Sequence, residues 1–151
     1  MTTPSLYEAD ALAVMTQRIR ALRADSPRQW GKMEIGQAMA HCQVALRVAI
    51  GDQRLKRGWI GIVFGPIAKR QLLKPAPLGK NMPTAPEFKV RDARDFERER
   101  ATLLELAERF GRGGPAGFTR EPHPFFGALT AEEWNTLQWK HLDHHLRQFG
   151  A

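Results

Sequence analysis

A single cysteine, Cys42, is all this chain contains, which excludes an intrachain disulfide framework and fits a reducing compartment. No run of residues comes near the roughly 20 apolar positions that a membrane-spanning helix needs. The opening residues, MTTPSLYEADAL, lack the basic flank and apolar block of a signal peptide. A cytoplasmic protein with no membrane partner is therefore expected. Strand-like alternation, internal repeats and low-complexity tracts are also missing. Carboxylates are absent between Gln53 and Pro86, where seven basic residues stand without a counter-charge: Arg54, Lys56, Arg57, Lys69, Arg70, Lys74 and Lys80. The remaining charges balance, so the formal excess of +7 belongs to this segment. Its glycines and prolines read first as a solvated, partly irregular connection. A site attracting an anionic substrate is the second reading, and nucleic acid is the weakest because no recognised binding module accompanies the charge.

What the sequence does have is helical periodicity. With 151 residues and 42% apolar content, the chain is expected to form one domain, 1–151, around one core. The first helix is predicted to open on a capping box of Ser5 and Glu8 and to run to about Arg23, with Leu12, Met15, Ile19 and Leu22 on one face. A second spans about Met33 to Ile50 and stops at Gly51. A third candidate, RGWIGIVFGPIAKRQLL, is interrupted by Gly61, Gly65 and Pro66 and is expected to be kinked or broken. Residues 75–91, rich in proline, read as an extended surface connection. The next helix is expected from about Arg94 to Phe110, and the last from Thr130 behind the capping box TAEE. The sum is an all-α bundle of four main helices with one long crossover and short extra helices.

Three of the five histidines lie in the closing stretch KHLDHHLRQFG. At helical spacing Trp134, Leu137, Gln138, His141, Leu142, His145, Gln148 and Phe149 share one sector, with Thr136, Lys140, Asp143 and Arg147 opposite. His141 and His145 are thus stacked one turn apart on an apolar face, and His144 falls at its flank. Burying two imidazoles is costly unless each finds partners. A pair of satisfied core histidines is the plain alternative to a metal site, and H-x-x-x-H alone is a weak motif. A third ligand from another helix changes the balance, and His41, set among Ala38, Met39, Cys42, Ala45 and Leu46 on the apolar side of the second helix, is the candidate. Cys42 reads as a small buried hydrophobe. His123, between two prolines in EPHPFFG, either shapes a turn or covers the site. Gln37, Gln138, His144 and Gln148 are candidates to orient the imidazoles or meet substrate. Trp30, Trp59, Trp134 and Trp139 are expected to fill the core or a dimer seam.

The stretches WGKMEIGQAMAHCQVAL, PTAPEF and HPFFGALTAEEWNTLQWKHLDHHLRQFG together resemble an uncharacterised, domain-of-unknown-function branch of the DinB/YfiT-like metalloprotein superfamily. The likeness covers nearly the whole chain. It implies a bacterial protein, often dimeric, folded as a four-helix bundle of up-down-down-up topology. It also implies a divalent metal held by three histidines, one from the second helix and two from the last, which fall here on His41, His141 and His145. Relatives in that superfamily include thiol-S-transferases using low-molecular-weight thiols, a maleylpyruvate isomerase and hydrolases. The second domain that some of the thiol-dependent enzymes carry has no counterpart here.

Three neutral imidazoles leave a coordination position open, as catalytic sites do. Zinc or nickel suits the set first, with iron a further candidate. The leading expectation is metal-dependent transfer of a low-molecular-weight thiol to a small, anionic electrophile. The alternatives are hydrolysis by a metal-activated water and a non-catalytic metal-binding or ligand-binding module of a stress response.

Overall fold

A computed structural model describes residues 2–151, and among them the chain is all-helical, with no strand. Five α-helices follow in order: α1 (Ala9–Ala21), α2 (Ile35–Ile50), α3 (Trp59–Leu72), α4 (Phe96–Gly113) and α5 (Ala131–Gln148). Single 3-10 turns occupy Pro86–Phe88 and Gly114–Ala116.

The predicted helix starts shift where a tertiary contact claims the first turn. Ser5 and Glu8 do not form a capping box. Instead the Leu6 N–H donates to Asn135 Oδ1 of α5 at 2.7 Å, and α1 begins one turn later behind Glu8. In α2 the entry is Glu34, whose N–H donates to Gln37 Oε1 at 3.0 Å. Asp95 caps α4 by accepting from the Arg98 N–H at 2.8 Å. That helix continues past Phe110 because Gly111 has no Cβ, and one built there would lie 2.6 Å from Leu6 O. The box of Thr130 and Glu133 opens α5 as read from the sequence.

The largest correction concerns α3, which is continuous through Gly61, Gly65 and Pro66. Its two glycines face the backbone of residues 124–126 rather than break the helix. A Cβ on Gly65 would stand 2.3 Å from Phe125 O. The glycines are there for close approach.

Side-chain contacts fix the relative directions of the other helices. α2 and α4 run the same way, since Gly36 lies against Arg94, Gln43 donates to Glu99, and Asp52 pairs with Arg109. α1 and α5 also share a direction, through Leu6 with Asn135 and Arg18 with Asp143. α2 opposes α5, because Ala45 O accepts from Gln138 while Gln148 reaches back to Trp30 O. α1 opposes α4, with Tyr7 on Phe110 and Arg100 donating to Leu22 O. These four surround a core in which Met15, Ile19, Met39, Leu46, Leu103 and Leu142 are shielded from solvent. Each such side chain contributes about 1.5–3 kcal/mol relative to exposure. α3 stands apart from them.

Residues 73–95 link α3 to α4, and both ends of this crossover are pinned to helices that carry histidines. Lys140, expected on the polar side of α5, is instead buried. Its ammonium donates to Leu72 O at 2.6 Å, to Ala76 O at 3.0 Å and to Lys74 O, gathering the last carbonyl of α3 and two of the crossover. Further along, Phe88 O meets His41. The crossover is therefore a cover over the histidines as well as a surface connection.

Candidate metal centre

Because α2 and α5 run in opposite directions across the core, His41 arrives opposite the one-turn pair His141 and His145. Ring centroids lie 4.7 Å apart for His41 and His141, 4.8 Å for His41 and His145, and 4.9 Å for His141 and His145. One candidate ligand atom from each lies within 4.8 Å of the others. His41 and His145 are buried, and His141 keeps part of its surface accessible.

The outer faces of the rings decide what the inner faces offer. His41 Nδ1 is 2.6 Å from Phe88 O, and a carbonyl accepts only, so this nitrogen carries the proton. His145 Nδ1 is 2.8 Å from Gln148 Oε1, with Gln148 held in orientation by donating its own amide to Trp30 O at 2.9 Å. Both rings therefore turn an unprotonated Nε2 inward. Holding a ligand imidazole by its remote N–H is the usual way a protein fixes tautomer and raises donor strength.

His141 completes the set differently. Its Nε2 lies 2.8 Å from His41 Nε2 and donates to the His41 lone pair. Its Nδ1 is buried without a partner. Burial holds the basicity of all three rings down. For His41 the Phe88 carbonyl partly offsets it, for His145 burial with the neighbouring His41 brings the pKa to about 3, and for His141 the adjacent imidazoles add to the depression. At neutral pH all three imidazoles are uncharged, as a cation requires, and ligation by His141 through Nε2 would move its proton to Nδ1.

The other sequence candidates divide. Gln148 lies in the cluster, as described. Gln138 is fully buried one turn before His141, its amide donating weakly to Ala45 O at 3.4 Å and its Oε1 without a partner. His144 packs edge-on against His145 at 5.0 Å and against Trp30 at 5.5 Å, at the flank of the set. Gln37 is used at the N-terminus of α2, where it accepts from Glu34 and donates to Asp92 O at 3.2 Å, and it is not brought to the histidines. His123 shapes a turn: its Nδ1 accepts from the Phe125 and Phe126 N–H groups at 3.0 and 3.1 Å. It also stacks on Phe88 at 6.0 Å, beside the carbonyl that holds His41. Cys42 is buried and its thiol is pushed up by burial, which leaves it inert.

Two participants escaped the sequence reading. Phe88 acts through a backbone oxygen, for which no residue-type signal exists. Trp30 acts through its carbonyl and its ring, and Lys80 sits 4.5 Å over that ring. Of the seven cations in the acid-free segment, Lys80 is thereby linked to the His144 flank, while Arg54 and Lys69 pair with Glu121 and Glu133.

The donor set fits a divalent metal: three convergent imidazoles, two of them with their remote N–H groups satisfied. Three nitrogens leave room for a further ligand, and softer metals that prefer thiolate are disfavoured because Cys42 makes no part of the set.

No curated protein and no solved structure matches the chain. A family model matches it over residues 1–151, and the chain belongs to that family, described as "Protein of unknown function (DUF1569)".

Proposed function

We propose that this domain is a metal-dependent enzyme of the DinB-like kind, in which His41, His141 and His145 hold a divalent ion and a low-molecular-weight thiol is transferred to a small electrophile. The observation that carries the metal is the pair of outer carbonyl contacts, Phe88 O on His41 and Gln148 Oε1 on His145. Core histidines need partners too, but partners placed so that two lone pairs converge on a third ring are what a cation demands. The shared direction of α1 with α5 and of α2 with α4 supports an up-down-down-up four-helix bundle, the arrangement the resemblance implies.

A bound ion of this kind supplies Lewis acidity, lowering the pKa of a coordinated thiol or water. The chain's own groups keep the three imidazoles neutral through burial, hold two of them in one tautomer, and exclude bulk water with the crossover. Lys80, over the Trp30 ring, favours a substrate or thiol bearing negative charge.

Elemental analysis of protein purified without a metal-affinity step is the first test, with about one equivalent of zinc, nickel or iron expected. Loaded protein should then conjugate a small thiol to an electrophile, and His141→Ala should lose both ion and turnover. Stoichiometric ion without turnover across a broad panel of thiols and electrophiles would reduce the site to a metal-binding module. Protein that retains no ion after direct addition would remove the proposal altogether.

A further inference from the structure

α3 carries a surface that the histidine cluster does not use. Trp59, Ile60, Ile62, Val63, Phe64 and Ile67 lie between 50% and 70% exposed. Only Gly61, Gly65 and Leu72 of this helix are buried. At helical spacing the exposed apolar residues of its first turns cover an arc of about 200°. Apolar patches of this extent mark an interaction surface.

Charge frames the patch on both sides. Lys56 and Arg57 precede it, and Arg70 and Lys74 follow it, all exposed and without an ion-pair partner among the described residues. No carboxylate occurs between Gln53 and Pro86.

We propose that α3 docks the protein on an anionic lipid surface, its apolar arc entering the boundary between headgroups and acyl chains and its flanking cations meeting the phosphates. Three observations favour this occupant. A helix that exposes Trp, Phe and Ile and has Lys and Arg at its two ends is suited to lie in that boundary. A helix packed on its own copy covers a stripe nearer 100° than 200°, whereas acyl chains adapt to the whole arc. An isologous pair would also set this segment's unbalanced cations against the identical cations of the other copy. Lying on a bilayer requires no span, and among the described residues no helix is long and apolar enough to cross one.

The test is co-sedimentation of the full chain with vesicles of phosphatidylcholine alone and of phosphatidylcholine with about 30 mol% phosphatidylglycerol, a typical anionic surface. Binding to the anionic vesicles only is expected, with weakening as salt rises. Lys56→Gln and Arg70→Gln should each lower the partition coefficient about five-fold. Val63→Asp with Ile67→Asp should abolish binding while circular dichroism and Tm stay as in the parent, because both side chains are exposed and neither belongs to the histidine cluster. Equal, negligible partition on the two vesicles overturns the proposal. So does a chain that ignores vesicles yet sediments as a dimer which Val63→Asp dissociates, since a second copy then covers α3.

Discussion

His145 shows how much of a candidate metal centre would reside outside the ligand atoms. Its ring is fixed by Gln148, and Gln148 by the Trp30 carbonyl, so the inward direction of His145 Nε2 depends on a chain of two hydrogen bonds. Gln148→Ala is expected to weaken metal affinity about 10–100-fold, the usual penalty for losing such an orienting partner. A competition titration against a chromophoric chelator measures it. His123 offers a second prediction, in stability rather than affinity. Burial, with the Arg57 charge adding to it, depresses its pKa to about 4 from the ordinary 6.5. The native ring is neutral where the unfolded chain takes up a proton. Its contribution to stability is therefore complete above about pH 6.5 and lost as pH falls toward 4, at about 1.4 kcal/mol per pH unit. Protonation places a hydrogen on the nitrogen that accepts from Phe125 and Phe126. Asn at this position keeps an acceptor without titrating, so His123→Asn should lower the slope of the stability profile across that window in urea unfolding, with the neutral imidazoles of the cluster keeping the remainder. An unchanged slope would assign the acid sensitivity to other groups. At this scale the sequence was informative for side chains whose helical face could be counted: His41, His141, His145 and Gln148 converge. It was silent on Phe88, because a backbone oxygen has no residue signature. It misplaced Gln37, since the same amide serves equally well as a helix cap.

At the scale of elements, apolar periodicity translated well into buried faces. Phe96, Leu103, Leu106 and Phe110 of α4 are all buried, as are Met39, Cys42, Leu46 and Ala49 of α2. Glycine translated poorly. Gly61, Gly65 and Pro66 carry the letters of a helix break, yet α3 is continuous and spends its glycines on a seam against residues 124–126. Local composition cannot distinguish a glycine required by backbone dihedrals from one required by a neighbour. A substitution can. Alanine raises helix propensity by about 1 kcal/mol over glycine, so Gly65→Ala would be stabilising if only the helix mattered. A Cβ 2.3 Å from Phe125 O reverses the sign. Overpacking against rigid backbone costs about 1–3 kcal/mol, and a net fall in Tm is expected on thermal denaturation. The seam also carries α3 past the Lys140 anchor, where the desolvated ammonium draws the helix end and the crossover onto α5. Lys140 lay on the polar side by periodicity. Its burial follows from the Leu72 carbonyl at the end of α3 and those of Lys74 and Ala76 in the crossover, which no reading of α5 alone contains.

For the whole molecule, the core and the histidine cluster are one structure, since the helices that carry the three histidines also supply the apolar faces. Keeping them together has a cost: three imidazoles are packed on one another and linked by a single nitrogen-to-nitrogen hydrogen bond. A ligand that binds only the folded state adds stability, about 2.7 kcal/mol at a hundredfold excess over Kd. For a chain of this size each kcal/mol moves Tm by about 2–4 °C, so saturating zinc or nickel is expected to raise Tm by about 5–10 °C. A strong chelator should reverse the shift. His141→Ala removes one donor and should erase the response to metal whatever it does to the ion-free Tm, so the quantity to read is the difference between the two scans. Loss of that difference in His141→Ala and His41→Ala, with its retention in Val63→Asp on the exposed face of α3, locates the linkage at the histidines. A Tm indifferent to every divalent ion in the parent protein would mean that the three rings only pack the core, with Phe88 and Gln148 as ordinary hydrogen-bond partners.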